Sequence, residues 1–569
     1  MRKIRISLFL FCLIFISQNL FAQEALKSTE EDYYDFLSLT GIVERPALGY
    51  RTLSDSVWNF SEDSADHIWK NNNLGTTYTL WQASQPADNF FARGLKQGLT
   101  ARIYGPEWFN SYNTGAPYGQ NDGALWQGRG YNTSLTTGLR LEGYGFELTF
   151  KPMVGWMQNG EFSTNKDVYP NPYSYSFASG TVYHNIDLVQ RYGDSSLFNY
   201  DWGDSEVRWT WHTLTFGFGT QNPWLGPAYL NPMLGSNNAP GYLKFDAGLR
   251  KTKVILPFLN WNLGNIEGRI FVGQLKESDY YDKNPDNDDR MLIGMTASYN
   301  PSFIPGFTIG LNRVFLTYWD LDNLSYIYRL FTASRSNGTS SGNDEDQKFS
   351  IFAEWTFPKA GFTVYGEYGR DDFSFDEKTN PFHTAIYTVG ARQGIPLHFT
   401  KLFPNLPEYF DLESELTFEW NNFEMSQDFQ LQWAYLGYYA HGFVGQGYTH
   451  KGQVLGAASC WAGNSQFIQY KILYPKGATS FIFHRFSPNN NSVYSQSVYT
   501  VADAEQGPIF KKWYANFETY YCFGVKSNIF IINNLNLNLG FNYIGIYHYQ
   551  YKNECISTYN IQAGLKYNF

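Results

Sequence analysis

Hydrophobic and polar residues alternate with a period of two along most of the chain after about residue 90. The clearest segment is 535–551, where Leu, Phe and Tyr at odd positions alternate mostly with Asn, His and Gln. A helix repeats every 3.6 residues and does not produce this pattern, whereas a β-strand with one apolar face does. The preceding Asn533-Asn534 pair predicts a tight hairpin turn back to a strand that contains Ile529 and Ile531.

A second alternating segment, 412–420, places carboxylates opposite an apolar face. Its apolar positions are Leu412, Leu416, Phe418 and Trp420, and its polar positions are Glu413, Glu415, Thr417 and Glu419. This alternation fits a strand of a soluble β-sandwich and a transmembrane strand equally well. In a transmembrane barrel, these carboxylates are expected to line a wet interior.

The two ends of the chain favour the transmembrane barrel. Residues 561–569 alternate again, and a last strand that ends on an aromatic residue, here Phe569, resembles the signature by which outer-membrane barrels are recognised for assembly. At the other end, a basic cluster, an apolar run at 6–16 and a small residue at Ala22 indicate a secretory signal peptide cleaved after Ala22. No later run reaches about 18 consecutive apolar residues, so any membrane crossing is expected to use strands.

We therefore predict an all-β fold, a transmembrane antiparallel outer-membrane β-barrel preceded by a short periplasmic helical segment. The predicted domains are a signal peptide at 1–22, the periplasmic helical segment at 23–90 and the barrel at 91–569. In the helical segment, Tyr33, Phe36, Leu37 and Leu39 follow helical spacing, and Gly41 is predicted as the C-cap. A second helix is predicted to begin at Ser54.

Composition agrees with a membrane barrel. Aromatic residues make up 19% of the chain, yet the mean hydropathy is −0.39. Both values follow if alternate residues face lipid and water and aromatic girdles lie at the two interfaces. The formal net charge of −10 gives no support for a nucleic-acid partner. After the predicted cleavage three cysteines remain, which argues against a disulfide scaffold, although a pair between Cys522 and Cys555 stays open.

Two regions contain candidate polysaccharide contacts, because sugar rings pack on flat aromatic faces while amides and carboxylates bind their hydroxyls. The candidates are Trp202, Trp209, Trp224, Tyr229, Asn237 and Asn238. For each tryptophan, the alternative is an aromatic girdle at the membrane interface. For Trp224, Tyr229 and the Asn pair, the alternative is a loop fixed by glycine and proline that packs on itself.

We predict no catalytic residue, no metal and no cofactor. The acidic segment 282–289 offers oxygen ligands suited to Ca²⁺ but lacks the EF-hand pattern, so a solvated outer loop is favoured. The Gly-x-Ser-x-Gly match at 338–342 lies in a polar loop rather than between a strand and a helix, as its chemistry requires.

Three stretches resemble the capsule assembly protein Wzi family of outer-membrane proteins. They are Asn-Asp-Gly-Ala-Leu-Trp-Gln-Gly-Arg-Gly at 121–130, Trp-Leu-Gly-Pro-Ala at 224–228 followed by Ser-Asn-Asn-Ala-Pro-Gly at 236–241, and Gly-Leu-Asn-Arg at 310–313. The second stretch departs from the family's Trp-Gly-Pro-Gly block, with an inserted Leu225 and with Ala228 in place of Gly. The resemblance implies an 18-stranded barrel with periplasmic helices, which acts as a lectin-like anchor for exported capsular polysaccharide.

The expected function is therefore a non-catalytic barrel of the outer membrane that binds and anchors capsular or other surface polysaccharide. The alternative is a passive porin or solute transporter that uses an acidic lumen for selectivity. The expected partners are the polysaccharide, outer-membrane lipid and the barrel assembly machinery, with no nucleic acid, and the protein is expected to be a monomer.

Overall fold

The computed structural model describes most of the chain. The described residues are 28–53, 58–60, 66–164, 173–175, 186–332, 345–371, 382–402, 404–407, 411–432, 437–491, 493 and 516–569. The predicted signal peptide and the Gly-x-Ser-x-Gly match lie outside these ranges.

Eighteen antiparallel strands close into a barrel, as expected for a transmembrane barrel. They are β1 (Gly98–Asn113), β2 (Gly130–Gly143), β3 (Phe146–Phe150 and Met153–Met157), β4 (Leu197–Asp201 and Glu206–Trp211), β5 (Leu214–Gly219), β6 (Lys244–Leu256), β7 (Trp261–Lys276), β8 (Asp289–Pro301), β9 (Phe307–Tyr318), β10 (Glu345–Phe357), β11 (Phe362–Asp371), β12 (Ala385–His398), β13 (Asp411–Asn422), β14 (Asn464–Tyr474), β15 (Gly477–Ser487), β16 (Thr519–Ile532), β17 (Leu535–Tyr547) and β18 (Cys555–Tyr567). The ring closes where β18 pairs with β1, from Lys566 opposite Glu107 to Asn560 opposite Asn113.

The predicted alternation of the last strands is confirmed. In β18, Ile561 and Leu565 are exposed on the outer face, whereas Asn560 and Lys566 are buried inside the ring. The predicted hairpin is also present, because only residues 533–534 separate β16 from β17.

The predicted length of β17 is wrong at its carboxyl end. The strand ends at Tyr547, and Tyr549–Tyr551 forms a single turn of 3₁₀ helix. His548, Gln550 and Tyr551 have φ angles of 52°, 56° and 60°, a conformation that takes the chain out of the strand. The tyrosines continue the period of two, but they fill the space between loops instead of a sheet face.

Short turns join the strands at one end of the barrel, which we call the base, and long segments join them at the other, which we call the cap. The longest described cap segments include 220–243, between β5 and β6, and 437–463, before β14. Transmembrane barrels have short periplasmic turns and longer outer loops, so the cap corresponds to the outside of the cell. The cap contains the helices Tyr326–Arg329 and Gln427–Gln432, and the base contains Phe399–Leu402. Among the described residues, no helix is long and apolar enough to span a membrane.

The helix α1 (Thr29–Leu39) lies inside the ring near the base. Ser28 caps its amino end, since the Ser28 hydroxyl accepts a hydrogen bond from the Glu31 backbone N–H at 3.1 Å. Gly41 closes the helix as predicted, with φ of 76°, although the C-cap itself is Thr40. The N–H groups of Gly41 and Ile42 donate to the carbonyls of Ser38 and Leu37. Its apolar face packs on the base ends of three strands, at Leu473, Ala478 and Phe530.

The predicted second helix is wrong where the structure describes it. Asn59–Phe60 is a two-residue strand that pairs with Val43–Glu44. Further along, the strand Thr77–Gln82 pairs with the first residues of β1, and the Thr76 N–H donates to the carbonyl of Phe569 at 2.8 Å. This strand therefore continues the line of β18 along the same edge of β1.

The three cysteines within the described residues form no disulfide. Cys460 and Cys522 are buried and Cys555 is exposed, and all three are free thiols. The pair left open between Cys522 and Cys555 is therefore not formed in this structure.

Candidate functional site

Ion pairs fix α1 to the inner wall of the barrel. The acidic residues of its first turn bind a different cation each: Glu30 binds Lys566 at 2.8 Å, Glu31 binds Arg51 at 2.9 Å and Asp32 binds Lys471 at 2.5 Å. Carboxylates in the first turn also interact favourably with the helix dipole.

Asp35, one turn later, binds two further cations. One carboxylate oxygen contacts Arg45 at 2.5 Å and the other contacts Arg392 of β12. Arg45 also binds Glu354 and Arg392 also binds Glu415, so both cations keep a partner if α1 moves. Displacement of the helix still breaks two ion pairs of the buried Asp35 carboxylate, which holds α1 in place.

The segment 220–243 also enters the lumen, where the β13 carboxylate Glu419 binds it. Glu419 accepts backbone N–H groups of Tyr229 at 2.6 Å, Leu230 at 3.1 Å and Asn231 at 2.9 Å. The hydroxyl of Tyr365 donates to the same carboxylate at 2.7 Å.

The carboxylates of β13 thus point inward as expected, but the expected wet surroundings are wrong for two of them. Glu415 and Glu419 are both 0% exposed. Glu415 binds Arg392 and Lys471, so it belongs to the ion-pair network that holds α1.

Trp224 and Tyr229 lie inside the lumen. Trp224 is 0% exposed, its indole N–H donates to the carbonyl of Ala228 at 2.9 Å, and Trp224–Leu225 pairs with Tyr50–Arg51. The Tyr229 hydroxyl donates to Asp32 at 3.1 Å, which ties the loop to α1.

Asn237 and Asn238 join two parts of the cap. The Asn237 carbonyl accepts the Gly123 N–H at 2.8 Å, within the 121–130 stretch. The Asn238 side-chain amide donates to the carbonyl of Val454 at 2.9 Å, in the hairpin formed by Thr449–His450 and Gln453–Val454.

Trp202 and Trp209 lie on the outer face of the barrel. Trp202 is 55% exposed and contacts Phe150 edge to face at 6.1 Å, while Trp209 stacks on Phe216 at 6.2 Å. Their neighbours Phe198, Val207 and Phe218 are exposed on the same side. The structure therefore does not bring the six candidates together, and sugar contact by any of them stays a prediction.

A cavity of about 210 Å³, the cap cavity, lies among the cap loops. Rings from five separate stretches of chain line it, and they include Tyr118, Trp126, Tyr175, Trp461, Tyr520 and Tyr551. The polar groups between these rings include Asp122, Gln127, Gln190, Glu518 and Gln550. Flat aromatic faces interleaved with amides and carboxyl groups are the chemistry expected of a sugar-binding site.

Hydrogen bonds from the 3₁₀ turn at Tyr549–Tyr551 hold one wall of the cap cavity. The Gln550 N–H donates to Glu518 at 3.0 Å, the Tyr549 hydroxyl to the carbonyl of Ser163 at 2.7 Å and the Tyr551 hydroxyl to the carbonyl of Asn489 at 2.9 Å. These contacts explain how non-glycine residues keep left-handed backbone angles there.

Two buried polar atoms of the cap cavity have no hydrogen-bond partner among the described residues. They are the indole nitrogen of Trp126 and the side-chain carbonyl oxygen of Gln127. Buried polar groups normally have partners, so these atoms are available to a ligand.

Both cavity carboxyl groups are harder to ionise than usual. Burial raises the pKa of Asp122 to about 6, against a hydrogen bond from Gln127 and the charge of Lys526. Burial raises the pKa of Glu518 to about 7, against hydrogen bonds from the Gln550 N–H and the Tyr520 hydroxyl. Hydrogen bonds donated by a bound partner would favour the ionised form of both groups.

Two further cavities of about 490 and 290 Å³ lie deeper in the lumen. Asp122 lines both of them as well as the cap cavity, and Tyr118 and Gln127 line the larger one. The chain between Tyr118 and Gln127 is therefore the partition between the cap cavity and the lumen.

Sequence reasoning missed the residues of the cap cavity. Trp126 and Gln127 lie in the 121–130 stretch that carries the family resemblance, which was the available signal. Tyr549 and Tyr551 were assigned to a strand because they continue the alternation. In the described part of the chain, no group of His, Cys, Asp or Glu is placed to hold a metal ion.

No protein-family model matches the chain, and no curated protein matches it in sequence. Among solved structures, it is similar to Wzi of Escherichia coli, described as an outer-membrane, carbohydrate-binding β-barrel involved in group 1 capsule assembly. The TM-score is 0.52 at 13% identity, over 82% of this chain and 85% of that one. OprB of Pseudomonas putida gives a TM-score of 0.35 at 11% identity over 82% and 94% of the two chains. OccAB4 of Acinetobacter baumannii gives 0.37 at 11% identity over 84% and 99%. The chain thus has the fold of an outer-membrane β-barrel.

Proposed function

We propose that this protein is a non-catalytic, Wzi-like barrel that binds surface polysaccharide in its cap and anchors it at the outer membrane. The observation that carries this proposal is the cap cavity, where aromatic rings alternate with carboxyl and amide groups. The unpaired Trp126 N–H and Gln127 oxygen supply one donor and one acceptor for a sugar hydroxyl.

The contents of the lumen support an anchor over a porin. The buried ion pairs of α1 and the three amides bound by Glu419 place a helix and a loop across the interior. An anchor needs a rigid platform beneath its loops, whereas a porin needs a continuous wet path.

The sequence resemblance to the Wzi family and the structural similarity to Wzi both support this proposal. The 121–130 stretch forms the partition below the cap cavity, and the 224–228 stretch is buried in the lumen with Trp224. These two stretches therefore lie where a lumen-closing role requires them, whereas the third, 310–313, lies in the wall strand β9.

The anchor is tested by the distribution of polysaccharide between washed cells and medium. In a deletion strain, we expect glycan to move from the cells into the medium while total synthesis is unchanged. Complementation with Trp126→Ala should fail to restore retention, because the ring and the unpaired donor are both lost. Trp156→Ala is the matched control, since Trp156 is exposed on the outer face, and it should restore retention.

In each strain, heat-modifiable migration of the barrel on gels verifies assembly. An unchanged distribution of glycan in the deletion strain would overturn the anchor. The same assay applied to Trp202→Ala and Trp209→Ala measures whether these outer-face residues contribute.

The porin alternative is tested by conductance. We expect the purified protein in planar bilayers to show no steady open-channel current, because α1 and the 220–243 segment occupy the lumen. Stable currents that scale with salt concentration would favour the porin.

A further inference from the structure

The charged side chains that line the cap cavity are acidic: Asp122 and Glu518 are among its described lining residues, and none of those is Lys, Arg or His. Three acceptors converge on it: the carboxyl groups of Asp122 and Glu518 and the unpaired amide oxygen of Gln127. The unpaired Trp126 N–H is a donor. A hydroxyl group satisfies both kinds of partner, because it donates one hydrogen bond and accepts two.

Tight packing holds the acceptors in position. A Cβ at Gly119 would lie 2.5 Å from the Asp122 carboxylate and 2.9 Å from the Gln127 side chain, so only glycine leaves room for both. Glu518 is fixed by the Gln550 N–H on the other wall. The acceptors are therefore preorganised before any ligand arrives.

The charges near these carboxyl groups do not cancel them. Asp122 senses Lys526, but burial outweighs that charge and raises the pKa of Asp122, and the nearby Tyr118 hydroxyl is neutral. Glu518 accepts hydrogen bonds from the Gln550 N–H and the Tyr520 hydroxyl, and its charge acts on the Tyr549 hydroxyl, which also senses Arg129. Above pH 7, where both carboxyl groups are ionised, the cavity carries net negative charge in a poorly solvated setting.

We propose that the cap cavity selects glycan units that present hydroxyl groups and rejects units that present a carboxylate at the same positions. A carboxylate only accepts hydrogen bonds, so against Asp122, Glu518 and Gln127 it meets acceptors and like charge. This inference rests on the proposed function and names the class of sugar: neutral hexose units rather than uronic acids.

The test uses the surface polysaccharide of the parent strain in three forms: native, carboxyl-reduced and oxidised at C6. Binding to the full-length protein in nanodiscs is measured at pH 8, where both carboxyl groups are ionised, and in about 0.5 M NaCl, where distant charges are screened within a few ångströms. We expect the C6-oxidised form to bind at least about tenfold more weakly than the carboxyl-reduced form, since like charges in contact are strongly disfavoured.

Two double variants assign the effect to the cavity. Asp122→Asn with Glu518→Gln removes both charges but keeps acceptor oxygens, so the difference between the two glycan forms should fall to about twofold or less. Asp286→Asn with Asp288→Asn makes the same charge change on an exposed cap loop and should keep the full difference.

The outcomes separate the two proposals. If the C6-oxidised form binds as well as the reduced form, the selectivity is overturned and the binding function stands. If the exposed-loop variant loses the difference as much as the cavity variant does, overall charge and not the cavity is responsible. If none of the three forms binds, the proposed function fails and the selectivity falls with it.

Discussion

At the scale of single residues, Glu518 links the ionisation of the cap to its stability. Burial raises the pKa of this carboxyl to about 7, above its ordinary value of 4.5. The folded state therefore binds the proton more tightly than the unfolded state. Its contribution to stability is fully present below pH 4.5 and is lost as the pH rises through about 7.

We expect the cap to open more readily at pH 8 than at pH 5. The measurement is hydrogen exchange of the Gln550 amide, which donates to Glu518, after correction for intrinsic rates. In Glu518→Gln the amide keeps its acceptor but the titration is gone, so the protection should vary less across pH 5 to 8. Asp286→Asn, on an exposed loop, should keep the wild-type profile; an identical change in both variants would contradict the assignment.

Residue roles were partly predictable. Gly41 was identified because a helix end has a local signature that needs a left-handed residue. The sequence did not predict which face of the sheet Trp202 and Trp209 occupy. The break in β4 between Asp201 and Glu206 decides which residues point outward on either side of it. The cap cavity combines residues from Tyr118 to Tyr551, and no local pattern reports contacts across that distance.

At the scale of elements, the docking of α1 depends on Asp35. In Asp35→Asn, Arg45 and Arg392 lose a shared carboxylate in a buried setting, at a cost on the order of 3 kcal/mol. We expect the helix to leave its site part of the time, which should produce intermittent current in planar bilayers and new protease cleavage near α1.

The matched control is Asp66→Asn. Asp66 pairs with Lys70, but its side chain is 86% exposed, so water replaces the lost contact and α1 should stay docked. Equal currents from both variants would show that α1 is not held by its buried ion pairs.

Elements were predicted best where one face meets lipid. The alternation of β18 and the Asn533-Asn534 turn follow directly from that constraint. Alternation alone did not mark the end of β17, since Tyr549 and Tyr551 keep the period while the backbone has already turned. The strand at Asn59–Phe60 has only two residues, which is too short to show alternation, and this region was predicted to be helical.

At the scale of the whole molecule, the stability cost of a charged residue on the outer surface should depend on its depth in the membrane. Phe541 is exposed midway along β17, and Tyr547 is exposed at its cap end. We expect Phe541→Arg to lower the free energy of unfolding from lipid vesicles by about 2 to 4 kcal/mol, and Tyr547→Arg by about 1 kcal/mol or less. Denaturant titration measures both, and equal losses would contradict the membrane position.

The barrel itself was predictable because three features of the sequence follow from a sheet with one face toward lipid. They are the alternation, an aromatic residue at the end of the last strand, and the lack of a long apolar run. The contents of the lumen were not predictable, because a segment buried inside the barrel does not produce a periodic pattern of apolar residues. The carboxylates of β13 illustrate this, because the sequence placed them inside the barrel without their partners. Only the structure shows that Glu419 binds the 220–243 segment and that Glu415 binds Arg392 and Lys471, two cations that hold α1.

The contact between Thr76 and Phe569 constrains the order of biogenesis. The Thr77–Gln82 strand and β18 share one edge of β1, so the first strand is fully paired only when the beginning and the end of the polypeptide arrive together. Once that seam is sealed, the ring has no free edge through which α1 can enter. Sealing of this seam therefore confines any later entry of α1 to the open end of the barrel at the base, where the helix lies.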